Sequence, residues 1–342
     1  MMDTRMNPSS QLVESSQPLP SRTSGGVYLP SLPLEGWAAT KDTLHLWLQV
    51  VGKIKLAYVP PKNHWWHVTL HLDARGLTTR RIPVDETTRF EIGFDFIDHF
   101  VSITTNSGAE ERLDLRDGLS VAAFDRELHA MLERLGVDVA IVESPYGVPM
   151  TTRLTEDQEH ASYDRDAVTR FWRILDWSDG VFDAFSGWFC GKTSPVQLYW
   201  HGLDLAFARF NGARAPARPD ADLVTQEAYT HEVIAFGFWP GDEQMPDPSY
   251  YSYTAPEPAG LRLTKLAPPA RWRERNGGSL ALLPFDAVRS ARNPEATLHG
   301  FLQSAYEAGA TAAGWDIAAL ESSWCPTPEE LSHLSPPPKE IR

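Results

Sequence analysis

Phe90-Glu-Ile-Gly-Phe-Asp-Phe96 and, further on, Val121-Ala-Ala-Phe-Asp-Arg-Glu-Leu-His-Ala-Met-Leu-Glu-Arg-Leu135 decide the fold between them. In the first stretch Phe90, Ile92, Phe94 and Phe96 share one parity, and Glu91 and Asp95 the other, which is the period of a half-buried strand. In the second, Phe124, Leu128, Met131 and Leu135 recur at helical spacing on one face, with Gly136 as the stop. A strand period and a helix period this close together specify an α+β protein.

Working outward, Thr43–Val51 reads as a helix through Leu44, Trp47, Leu48 and Val51. Short β-rich runs follow at 54–59, 67–74 and 90–103, then a turn at Asn106-Ser-Gly108, a run at 112–115 and a buried strand at 137–142. Beyond them an aromatic helix, 167–175, leads to 182–189. Strands then follow at 196–200, 203–210, 232–239, 250–254 and 280–283, and 296–313 closes as a helix. The expected fold is α+β, a largely antiparallel and continuous sheet with helices packed on one face. Gly52-Lys53 and Gly191-Lys192 each follow an aromatic helix, and Ala74-Arg75 and Ala208-Arg209 each close a strand nearby. These markers suggest a diverged duplication of a helix–four strands–helix unit, over 37–143 and 167–316. Chance coincidence in a protein of this size explains them equally well.

Residues 1–35 are rich in Ser, Pro and Gly and read as a disordered arm, 321–342 as a disordered tail, and 36–320 as a single domain. The chain has 342 residues and a formal net charge of −14, which opposes nucleic-acid binding because that affinity comes from basic side chains on phosphates. No apolar run is long enough to span a bilayer, and the N-terminus lacks a signal core. Two cysteines, Cys190 and Cys325, make no disulfide framework. The expectation is a cytoplasmic protein that binds neither membrane nor nucleic acid.

Several motifs match a known pattern: Trp37-x-x-Thr40, Thr43-Leu-His45-x-Trp47-x-Gln49-x-x-Gly52-Lys53, Asn63-His64-Trp65-Trp66-His67, Phe94-Asp-Phe-Ile-Asp98-His99, His160-Ala-Ser-Tyr-Asp164, Tyr229-Thr-His231-Glu232-Val233 and Gly237-Phe-Trp-Pro-Gly241. Together they resemble a mainly bacterial family catalogued as a domain of unknown function. The resemblance covers about 37–320 and implies one family-wide module. It carries no activity or cofactor.

Chemistry is sought first in His64-Trp-Trp-His67-Val-Thr-Leu-His71-Leu-Asp73-Ala-Arg75. On a strand, His67, Thr69, His71, Asp73 and Arg75 would share a face, offering a metal site or an acid–base pair. Against this, residues four apart on a strand lie about 13 Å from each other, and a solvated sheet face reads the same way. His231-Glu232, with His201 and Asp204, forms a second cluster. Lys53, Arg75, Lys192 and Arg209 would suit an anionic small molecule if they converge, although such side chains more often pair with nearby acids. Gly187–Thr193 fails as a phosphate loop: it is one residue short and carries bulky side chains where backbone amides must wrap a phosphate. Cys190 reads as a buried apolar filler, and Gly237–Gly241 and Tyr250–Tyr253 as ring-lined loops.

The expected function is a small-molecule-binding protein or enzyme with a His/acid/aromatic pocket. Its acid–base candidates are His67, His231 and Glu232, and its ligand-binding candidates Lys53, His64, Arg75, Lys192 and Arg209. The competing expectation is a non-catalytic scaffold or partner-binding protein.

Overall fold

The computed structural model describes residues 29–321, apart from Trp188 and Asn276. Leu29 and Leu32 are buried, so the end of the expected arm packs into the core. The rest of the arm, most of the tail and Cys325 lie outside the described residues.

The first half opens with α1 (Ala38–Tyr58). An antiparallel sheet follows: β1 (His71–Leu72), β2 (Gly76–Thr78), β3 (Ile82–Pro83), β4 (Arg89–Asp95), β5 (Phe100–Thr105) and β6 (Glu110–Asp114). Its strand order is β1-β2-β4-β5-β6, with β3 also on β4. Then comes α2 (Val121–Arg134), capped by the Ser120 side chain, which accepts from the Ala123 N–H. The segment 137–142, expected as a strand, is irregular.

The second half opens with α3 (Arg165–Ser186), one helix where two segments were expected, capped by Asp164. Next come β7 (Lys192–Thr193), β8 (Gln197–Tyr199), β9 (Asp204–Arg214), α4 (Leu223–Ala228), β10 (His231–Trp239), β11 (Ser249–Ala255), β12 (Arg271–Arg275) and β13 (Gly278–Pro284). Helices α5 (Phe285–Arg289), α6 (Pro294–Ala312) and α7 (Ile317–Leu320) close the described chain. This sheet runs β12-β13-β11-β10-β9-β7, with β8 also on β9. Tyr250–Tyr253 is therefore strand, as the expected run 250–254 had it, and not a ring-lined loop.

The sheet is not one continuous surface. Among the described residues there are two antiparallel sheets, and an isolated bridge between Leu70 and Leu198 joins the end of the first to β8 of the second. The helix α1 runs well past its expected end, and Gly52 and Lys53 lie inside it. Leu44, Leu46, Trp47, Leu48, Val50, Val51 and Ile54 are all buried, so α1 is apolar around most of its girth and is a core helix rather than a surface one. The indole of Trp200 lies against Gly52, where a Cβ would fall 2.5 Å from it.

In the second sheet, alternation splits the side chains between two faces. Leu205, Phe207 and Arg209 of β9 and Phe236 of β10 point toward α3 and α6. Phe182 lies 5.3 Å from Phe207, and Phe185 lies 5.6 Å from Phe236. Asp204, Ala206, Ala208 and Phe210 point to the outer face, together with Tyr251 and Tyr253 of β11. Among the described residues, no helix is long and apolar enough to cross a membrane.

Candidate functional site

The site is built where the chain leaves α1. A single 3-10 turn at Asn63–Trp65 holds His64 at φ 56° and Trp65 at φ 60°, a left-handed conformation that residues with a Cβ adopt at a cost of about 1 kcal/mol. Two bonds from the end of α4 hold it there. The His64 backbone N–H donates to Glu227 Oε2 at 2.7 Å, and His64 Nδ1 lies 2.9 Å from the Ala228 carbonyl.

The second bond fixes the tautomer. A carbonyl can only accept, so Nδ1 carries the proton and Nε2 presents its lone pair. That lone pair faces Lys192 Nζ at 2.8 Å, so the ammonium donates to it. The same ammonium lies 5.1 Å from the Trp66 ring centre and 4.9 Å from that of Phe210, a cation on two aromatic faces. The pairing of Lys192 with Phe210 across β7 and β9 puts it there. His231 enters from the start of β10, beside a bulge, and its ring stands edge-on to His64 at 5.6 Å.

Burial lowers the pKa of His64, and neighbouring Lys192 adds to the effect. Burial also lowers that of Lys192, against the field of the Glu227 carboxylate. Lys192 makes no ion pair among the described residues and remains exposed. A cation without a carboxylate, beside an imidazole lone pair and between rings, can receive an anion. The His64 Nε2 atom can in turn accept a proton.

Other sequence candidates lie elsewhere. His67 stacks on Trp65 at 5.3 Å, and its Nδ1 accepts from the Lys62 N–H at 3.2 Å. Its pKa too is lowered by burial. The shared strand face expected for His67, Thr69, His71, Asp73 and Arg75 does not form, because the strand begins only at His71. Burial brings His71 down to about 3. Among the described residues, no group of three or more His, Cys, Asp or Glu side chains could hold a metal ion.

Glu232 points away from His231, as adjacent strand residues must. It accepts from Asn211 Nδ2 at 2.6 Å and Trp315 Nε1 at 3.1 Å, and lines a cavity of about 240 Å³ beside the end of α6. Arg75 is tied to Asp95 and Asp98 at the edge of a second cavity, of about 350 Å³, on the first sheet. Neither cavity contains His64, Lys192 or His231.

Arg209 is buried on the helix side, 3.8 Å from the Phe185 ring centre and 4.6 Å from that of Tyr306, and burial lowers its pKa to about 10. Lys53 is buried inside α1, where burial lowers its pKa. The four cations therefore do not converge. Cys190 is exposed, not a core filler, and its thiol donates to the Ala319 carbonyl at 3.3 Å.

Sequence reading missed Glu227, whose short helix gives no periodic signal. It also left Trp66 and Phe210 unassigned, because ring spacing alone looks like core. No curated protein and no solved structure matches the chain. A family model described as "Family of unknown function (DUF5996)" matches residues 29–322, and the chain belongs to that family.

Proposed function

We propose that this protein binds a small anionic molecule where Lys192, His64 and His231 meet between Trp66 and Phe210. The observation that carries this reading is the chain of bonds from the Ala228 carbonyl through His64 to Lys192. It aims an ammonium, which makes no ion pair among the described residues, at an exposed, ring-walled position. Two left-handed residues, His64 and Trp65, build it at a local cost. Bound there, an anion would take charge-assisted bonds from Lys192, while Trp66 and Phe210 would pack against its apolar part. We place the protein in the cytoplasm, in keeping with its two cysteines. The shared order of long helix, antiparallel strands and helix in the two halves supports reading them as diverged repeats.

Calorimetric titration with inorganic phosphate, acetate and benzoate tests the reading. Saturable binding of at least one of them is expected, weakened about tenfold or more in Lys192→Ala, with the thermal midpoint of that variant unchanged. If none binds, or if the variant binds as well as the parent, the reading is wrong, and a scaffold that uses this face for a protein partner becomes the better account.

A further inference from the structure

A second group of polar side chains lies on the outer face of the second sheet, at the far end of β9 from Lys192. Asp204 opens β9 and pairs with Tyr199 of β8. On β10, Gly237 sits opposite Ala206 on one side and Tyr251 on the other. The glycine is required there: a Cβ would fall 2.5 Å from the Tyr251 ring. Without one, that ring lies across β10, and its hydroxyl donates to Asp204 Oδ2. Tyr253 stacks beside Tyr251 at 6.3 Å, nearly parallel, and its hydroxyl lies 3.0 Å from that of Tyr229. Small side chains floor the sheet between these rings, with Ala206 and Ala208 on β9 and Ala235 on β10.

Asp204 has no cationic partner at ion-pair distance among the described residues. His201 and Arg275 act on it only through their fields, and the Arg275 guanidinium lies instead over the Trp239 ring at 4.6 Å. Burial pushes the Asp204 carboxyl up and does the same to the hydroxyls of Tyr199, Tyr251 and Tyr253, yet each of these residues keeps some accessible surface. A recessed acid ringed by phenols lacks the cation that a buried carboxylate ordinarily has. Aromatic faces favour such a cation further.

We propose that Asp204, with Tyr199, Tyr251 and Tyr253 around it, binds an organic ammonium ion. A protonated amine donates to Asp204 and the phenol oxygens, and its alkyl part lies on the rings. The site stands on observations separate from those at Lys192. Along β9, Asp204 and Phe210 are six residues apart, about 20 Å at the rise of a strand, so Asp204 and Lys192 do not hold one small ligand between them, although Tyr253 packs near Phe210 and Trp66.

The test is calorimetric titration of the full chain with n-butylammonium chloride, with potassium chloride as the ionic control. Saturable binding is expected, weakened about tenfold or more by Asp204→Asn and unchanged by Lys192→Ala. The thermal midpoint of Asp204→Asn, read beside that of the parent, separates a folding defect from lost binding. Tyr251→Phe, which removes one phenol oxygen and leaves the carboxyl in place, should weaken binding less than Asp204→Asn does. No saturable heat beyond the salt control would overturn the proposal and leave Asp204 as an acid serving packing alone. Equal binding by a folded Asp204→Asn protein would overturn it too.

Discussion

At the residue scale, buried titratable groups set how stability depends on pH. Burial holds His45 at about 4 and His71 at about 3, below an ordinary histidine value near 6.5. The unfolded chain therefore takes up protons as pH falls through about 6.5, while the native histidines stay neutral. Their stabilisation is complete above that pH and is lost below it, at about 1.4 kcal/mol per pH unit for each histidine. Replacing His71 with Leu should flatten the fall in unfolding free energy between pH 6.5 and 5, measured by urea titration. An unchanged slope would mean that His71 is solvated. Lys55 works on the alkaline side. Burial brings it to about 7, and it donates to the Thr69 carbonyl. The unfolded chain holds that proton to higher pH, so this contribution grows as pH rises from about 7 toward 10. Lys55→Met should remove that rise.

His64, Lys192 and His231 were legible in the sequence as polar residues among rings. Glu232 was grouped with His231 in the sequence, although strand alternation separates such neighbours and the structure places Glu232 on Asn211 and Trp315. Glu227 was not legible, since only the fold of the chain around Asn63–Trp65 brings α4 to His64.

At the element scale, α1 is a helix held by its packing. Gly52 inside it weakens intrinsic helix propensity, and Ala there would normally gain about 1 kcal/mol. Here the Trp200 indole occupies that space, and its Nε1 donates to the Val68 carbonyl at 2.9 Å. Gly52→Ala should therefore destabilise by about 1–3 kcal/mol, with a change in tryptophan fluorescence as Trp200 moves. A stabilised variant would contradict the packing. The sequence placed α2 almost to the residue, because one clean apolar face and Gly136 mark its limits. It cut α1 short because the run 54–59 read as strand, and tertiary burial overrode that preference.

At the scale of the whole molecule, one apolar core runs through both halves, from Leu44 and Trp47 of α1 to Phe301 and Tyr306 of α6. The Leu70–Leu198 bridge links the sheets across it. Unfolding should be a single transition, with far- and near-ultraviolet circular dichroism melting together. Separate melts would mean that the halves fold independently. The α+β class and antiparallel pairing were readable from strand and helix periods, whereas the break into two sheets was not, because single-residue bridges leave no pattern. On the outer face, this framework holds a cation at one end of β9 and an acid at the other.

The arrangement at Lys192 is tested most directly by nitrogen-15 imidazole spectra of His64 at neutral pH, recorded during a phosphate titration. The account predicts a proton on Nδ1 and none on Nε2, with the Nε2 resonance moving saturably as phosphate draws Lys192 away. A proton on Nε2, or a resonance indifferent to phosphate, acetate and benzoate alike, would contradict it.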